Sequence, residues 1–206
     1  MRFDLADVAP ADRYKLLAST VTPRPIAWVT TVNGEGRPNA APYSFFNVLG
    51  EDPPVVGFSV ADRAPGSKKD TEVNVRRSGE FVVNLVSMPT LERMNVTAID
   101  FPPEVDELEA AGLRPVPAVH VAPPLIAESP VSLECRLFQI VPLGARRSLV
   151  IGEVLALHIV DRAVIDPARF YVDNAALDLV GRMHTNSYTA TRNSFLLPRL
   201  ELPASA

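Results

Sequence analysis

The sequence predicts an α+β domain: a mostly antiparallel β-barrel with a few short helices and a proline-rich insertion. Three observations predict it. Apolar runs of strand length, rich in valine, isoleucine and aromatic residues, recur at 26–32, 54–60, 80–87, 131–142 and 149–160. The last two are joined by a short connector at 142–148, which predicts a long antiparallel hairpin. No strand–helix–strand rhythm runs through the chain, so a barrel-type arrangement of about five to seven strands with three or so helices is expected, not a doubly wound parallel sheet.

In chain order, residues 12–17 (DRYKLL) read as a short helix, with apolar positions at i, i+3 spacing. Residues 26–32 form a strand apolar on both faces. Asn33-Gly34 follows as a hairpin signal, because a type I′ turn needs φ > 0 at both central residues. Residues 39–47 read as a polar-aromatic connector to the strand at 54–60. Ser67 and Asp70 stand in capping-box relation at the start of a helix that runs to about Ser78, where Gly79 is a stop. A strand at 80–87 and helices at 90–98 and 103–111 precede an irregular stretch at 114–130. After the long hairpin, 161–174 is a connection, 177–183 a last short strand, and 197–206 a frayed tail.

Composition narrows the function. A chain of 206 residues, 47% hydrophobic and 21% charged, fits one globular domain. The net charge of −4 argues against nucleic acid or an anionic membrane as partner. Arg76-Arg77 and Arg146-Arg147 read as a solvated helix face and a hairpin tip. Cys135 is the single cysteine, so no intrachain disulfide forms, and its apolar run suggests a small buried hydrophobe. With no signal-peptide core near the start and no 18-residue apolar run, a cytoplasmic location is expected. Twenty prolines against ten glycines imply short elements joined by stiff connectors.

Three segments carry candidate ligand chemistry. Ile26 to Thr30 offer small and apolar side chains, either as a flat slot or as a core strand around the sole tryptophan. The connector Asn39-Ala40-Ala41-Pro42-Tyr43-Ser44-Phe45-Phe46-Asn47 mixes amide, hydroxyl and aromatic groups, as a bland loop or a binding one. The helix start at Ser67, with Lys68, Lys69 and Thr71, reads as a cap or as an anion site. His120 and His158 read as structural. No His/Cys/Asp/Glu cluster has metal-ligand spacing, Ser44 and Ser59 lie in no nucleophile motif, and Asp52, Asp62 and Asp70 form no acid/base pair.

These segments occur in a fixed order. The stretch TPRPIAWVTTVNGEGRPNAAPYSFFNVLGEDPPVVGFS, then SKKDTEVN, EFVVNLV, FPPEVDELEAAGL, PVSLECRL and a Gly181-Arg182…Tyr188 segment resemble the flavin reductase-like domain family over roughly residues 14–191. The resemblance implies an FMN-binding split β-barrel and an NAD(P)H-dependent flavin reductase that passes hydride from nicotinamide to FMN. The alternative is a flavoredoxin-like electron-transfer protein without NAD(P)H turnover. It further implies that Ala27, Trp28, Val29, Thr30, Asn39, Ala41, Ser44, Phe45 and Asn47 contact the flavin. Ser67, Lys69, Asp70 and Thr71 would sit at or near its phosphate, with Arg182 and Tyr188 close by. A homodimer is implied too, with NAD(P)H as electron donor and a partner monooxygenase or another acceptor downstream. His184 is open between a flavin contact and a polar residue at a dimer seam, and the insertion at 99–124 between a cover for the site and part of that seam.

Overall fold

The computed structural model describes residues 1–200. Its centre is a seven-stranded sheet of β1 (Ala27–Val32), β2 (Pro38–Tyr43), β3 (Phe46–Glu51), β4 (Pro54–Ala61), β5 (Glu80–Leu85), β8 (Val131–Pro142) and β9 (Arg147–Ile159). The order is β2-β1-β5-β8-β9-β4-β3 and every pairing is antiparallel. Rings bridge the interior: Tyr43 of β2 lies 5.1 Å from Phe58 of β4, which meets Phe81 of β5 edge-on at 5.4 Å. The sheet therefore curls until β2 packs against β4, but no ladder joins the two edge strands. It is a split barrel, left open.

β1 divides two cores. Side chains alternate across a strand, so Ala27 and Val29 enter the interior cluster with Phe58, Phe81 and Cys135, while Trp28 joins Met94, Leu108 and Ile126 on the outer side. That outer core is covered by α3 (Leu91–Val96), α4 (Glu107–Ala110) and the short pair β6 (Pro115–Val116) and β7 (Leu125–Ile126). Cys135 is fully buried, and burial pushes its thiol pKa up. The long hairpin forms as expected, from Val131↔Ile159 to Pro142↔Ser148, with two register shifts that bend it.

Several expectations need correction. The 33–37 turn is not type I′: of its residues only Gly36 has positive φ, at 80°. Gly36 N–H donates to the Asn33 carbonyl at 3.0 Å, and Asn33 Oδ1 accepts from the N–H groups of Glu35 and Arg37, both at 2.9 Å. The Asn side chain thus holds a longer loop that needs its left-handed residue two positions later. The 39–47 connector is largely strand, β2 and β3. Pro38 and Pro42 are tolerated because β2 is an edge, with no partner on one side to miss their N–H groups.

The helices shift as well. α1 (Pro10–Thr20) outruns its expected 12–17 and starts with proline at its first position. α2 (Asp70–Ser78) begins after Lys69 with no side-chain cap, so the Ser67–Asp70 capping box does not form. Ser67 instead closes a tight turn, donating its N–H to Ala64 O and accepting from Arg63 N–H, both at 2.9 Å. α4 is shorter than 103–111, because Pro102 and Pro103 precede it and Asp106 caps it by accepting from Leu108 N–H at 2.8 Å.

The C-terminal third adds β10 (Val164–Asp166) with β11 (Tyr171–Val172), α5 (Asn174–Leu177), and β12 (Val180–Arg182) paired with β13 (Tyr188–Ala190). Residues 193–200 carry no helix or strand, and the tail expected to fray beyond 200 lies outside the described residues. Among the described residues no helix is long and apolar enough to cross a membrane.

Candidate functional site

A cleft of about 240 Å³ opens where α1, β2, β4, the start of α2 and the 97–101 turn converge. Alternate residues of β2 build one wall: Asn39, Ala41 and Tyr43 line the cleft, while Ala40 between them enters the outer core. Asn39 Nδ2 donates to Thr71 Oγ1 at 3.2 Å, tying this wall to the first turn of α2. Tyr43 is 8% exposed, and its hydroxyl is buried without a hydrogen-bond partner. Burial pushes its phenol above the ordinary tyrosine pKa, with neighbouring Thr71 opposing.

The two ends of the cleft differ. At one end the rings of Tyr14 and Phe45 stack with centroids 5.9 Å apart and planes 29° apart. The Arg147 guanidinium carbon lies 5.2 Å from the Phe45 centroid, and its Nη1 donates to Ser59 Oγ at 3.2 Å. At the other end Arg63 donates to Asp70 Oδ2 at 2.7 Å and Asp100 Oδ1 at 2.9 Å, and Lys69 Nζ reaches Asp100 Oδ1 at 3.3 Å. Arg63 holds the Asp100 carboxyl below its usual pKa against partial burial, with Lys69 adding to the effect. Nearby, burial pushes the Glu107 carboxyl up, opposed by backbone N–H donors that include Ala40, at 3.2 Å.

The cleft brings together Asn39, Ala41, Ser44, Phe45, Lys69, Asp70 and Thr71 of the sequence-derived candidates. It does not take in the others. Ala27, Trp28, Val29 and Thr30 are fully buried, because β1 is sandwiched between two cores. Trp28 acts indirectly: its Nε1 donates to Thr97 Oγ1 at 2.9 Å and so anchors the turn that carries Ile99 and Asp100 to the cleft. Asn47 is exposed on the edge strand β3, and Ser67 is exposed in its turn. Arg182 and Tyr188 face each other across β12 and β13. That hairpin is linked to the aromatic end through Arg24, which donates to Met183 O at 2.5 Å and lies 5.7 Å from the Phe45 ring. His184 is exposed on the connecting turn. The 99–124 insertion contributes Ile99, Asp100 and Glu107 to the cleft.

Sequence reasoning missed Tyr14, Arg63, Arg147 and Glu107. Arg147, expected at a solvated hairpin tip, opens β9 opposite Ala61 and lines the cleft. The signal that could have found it is the antiparallel pairing of 54–61 with the second arm of the long hairpin.

The chain is similar to known proteins over most of its length. The model of the family described as "Flavin reductase like domain" matches residues 19–175. An uncharacterized protein of Deinococcus radiodurans is 48% identical over 204 residues, which cover 96% of this chain and 89% of that protein. The crystal structure of nitrilotriacetate monooxygenase component B from Bacillus cereus superposes with a TM-score of 0.90 at 31% identity, covering 96% of this chain and 98% of that one. That of 2-nitrobenzoate 2-nitroreductase from Pseudomonas fluorescens has a TM-score of 0.90 at 33% identity, with all of both chains covered.

Proposed function

This chain belongs to the flavin reductase like domain family, and from that premise we propose that it is an oxidoreductase that binds FMN in the cleft and takes hydride from NAD(P)H. The observation that carries the reading is the cleft's division into an aromatic end, at Tyr14 and Phe45, and a polar end where Arg63 and Lys69 flank the start of α2. Bound there, the flavin would supply a ring that accepts hydride from a reduced nicotinamide and passes electrons onward.

The residues present fit that group. Arg63 and Lys69 would hold a phosphate beside Thr71 and the N–H groups of Asp70 and Thr71 that open α2. The orphaned Tyr43 hydroxyl supports a polar ligand in the cleft, since an unpartnered buried hydroxyl costs about 1–3 kcal/mol without one. Asn39 offers an amide edge, and the Tyr14–Phe45 wall would exclude water from one side of a ring. No acid/base side chain is needed from the protein for hydride transfer between two cofactors, so positioning is its main task.

On this reading the protein works in the cytoplasm, where NAD(P)H is available, as a homodimer. The reduced flavin serves a partner monooxygenase or another acceptor. The test is an anaerobic absorbance spectrum of the purified protein before and after NADH and NADPH. Flavin bands at about 375 and 450 nm that bleach on addition are expected. Bands that persist would favour a flavoredoxin-like electron carrier, and failure to take up added FMN would overturn the reading.

A further inference from the structure

We propose that Arg147 selects the second reactant, a planar aromatic partner that carries a carboxylate or phosphate. This rests on the flavin reading of the rest of the cleft. The observation behind it is an imbalance of charge. At the α2 end the cations are matched, since Arg63 and Lys69 face Asp70 and Asp100 at 2.7–3.3 Å. At the aromatic end they are not. Among the described residues neither Arg147 nor Arg24 has a carboxylate within 4.0 Å, and both guanidinium groups lie against the ring of Phe45.

The two arginines have different tasks. Arg24 is 7% exposed and spends its fork on backbone carbonyls, at 2.6 Å to Ala18 O and 2.7 Å to Val21 O, so it is a fixture of the α1 terminus. Arg147 is only half-buried and makes one polar contact, through Nη1 to Ser59 Oγ. Its remaining donors are free to grip an anion with two parallel hydrogen bonds, which suits carboxylate and phosphate. The Arg147 guanidinium carbon lies 5.2 Å from the Phe45 centroid, a cation–π contact that leaves its N–H donors unspent. With the flavin against the Tyr14–Phe45 wall, an anion gripped by Arg147 would bring its flat carrier over the other face of the ring. In a chain of net charge −4, an unmatched cation at a cleft mouth also draws such a partner in.

The experiment titrates flavin-loaded wild type, Arg147→Gln and Arg147→Lys by flavin absorbance with two ligand pairs. These are 2-nitrobenzoate against neutral nitrobenzene, and NAD⁺ against neutral nicotinamide. Arg147→Gln is expected to weaken at least one anionic ligand by roughly 10- to 100-fold, the worth of a charge-assisted hydrogen bond, and its neutral counterpart by less than about twofold, with Arg147→Lys between. Loss confined to nitrobenzoate would identify an aromatic carboxylate as the partner, and loss confined to NAD⁺ the phosphate of the nicotinamide donor. Equal losses for anionic and neutral ligands, or no loss for any, would overturn the proposal. So would a glutamine variant whose flavin affinity falls while its affinities for the anionic ligands, titrated with flavin at saturation, stay at wild-type values. Should wild type bind no flavin, the flavin reading fails on its own, and the same titrations followed by intrinsic fluorescence still decide the role of Arg147.

Discussion

Asp100 places its carboxylate where a ligand phosphate would compete for the same donors, 2.9 Å from Arg63 Nε and 3.3 Å from Lys69 Nζ. Its side chain is 59% exposed, so the contact with each cation is weak enough to yield. Asp100→Asn is expected to raise FMN affinity by roughly two- to fivefold, the equivalent of about 0.5–1 kcal/mol. Riboflavin, which lacks the phosphate, should bind as before. Fluorescence titration with the two flavins checks this, and a drop in FMN affinity would mean that Asp100 is itself a ligand contact. Lys69, Asp70 and Thr71 were legible in the sequence because they are contiguous. Arg63 and Asp100 were not, because what joins them is a contact across 37 residues.

Glu134 shows how one buried charge ties elements together. It lies on β8, fully buried, and accepts from Val119 N–H at 3.0 Å and His120 N–H at 2.6 Å, with His158 Nε2 of β9 2.6 Å away. The insertion is thereby pinned to the long hairpin. Burial would raise the Glu134 pKa, but these backbone donors and His158 more than reverse it, so the carboxyl titrates below its usual value. A depressed folded pKa stabilises the fold fully above the unfolded value of about 4.3 and loses that contribution as pH falls through the folded one. Glu134→Gln is expected to cost roughly 2–3 kcal/mol at pH 7, or about 4–12 °C in Tm. Its stability should then fall less steeply than wild type below about pH 4.3. Thermal melts across pH check both, and parallel acid limbs for the two proteins would remove Glu134 as the acid-sensitive anchor. The hairpin was legible from its two long apolar runs. The anchor was not, because a lone glutamate within such a run does not show which N–H groups it will meet.

At the scale of the molecule, large apolar side chains remain uncovered: Val48 and Leu49 on the edge strand β3, and Phe138 and Leu157 on the hairpin, are 51–66% exposed. A second copy of the chain covering part of this surface fits the proposed homodimer. Light scattering at micromolar concentration is expected to report twice the 22.4 kDa chain mass. A monomer there would overturn the dimer proposal.

The sequence by itself determined five of the seven strands of the barrel wall, the long hairpin, the burial of Cys135, and the short segments Asn39–Phe45 and Lys69–Thr71 that meet in the cleft. The strands follow from local periodicity and from the residue types that suit a half-buried strand, and the cleft segments from their polar side chains and from the family resemblance. Only the tertiary structure decided that Ala27 to Thr30 are core and not cleft, since the strand's fate depends on what covers each face. It also decided that the prolines of β2 sit on an edge, and that Tyr14, Arg63 and Arg147 converge with Phe45 and Asp100. The physical reason is the same in each case. Hydrophobic patterning is encoded along the chain, whereas charge pairing and ring stacking depend on which segments the curled sheet brings face to face.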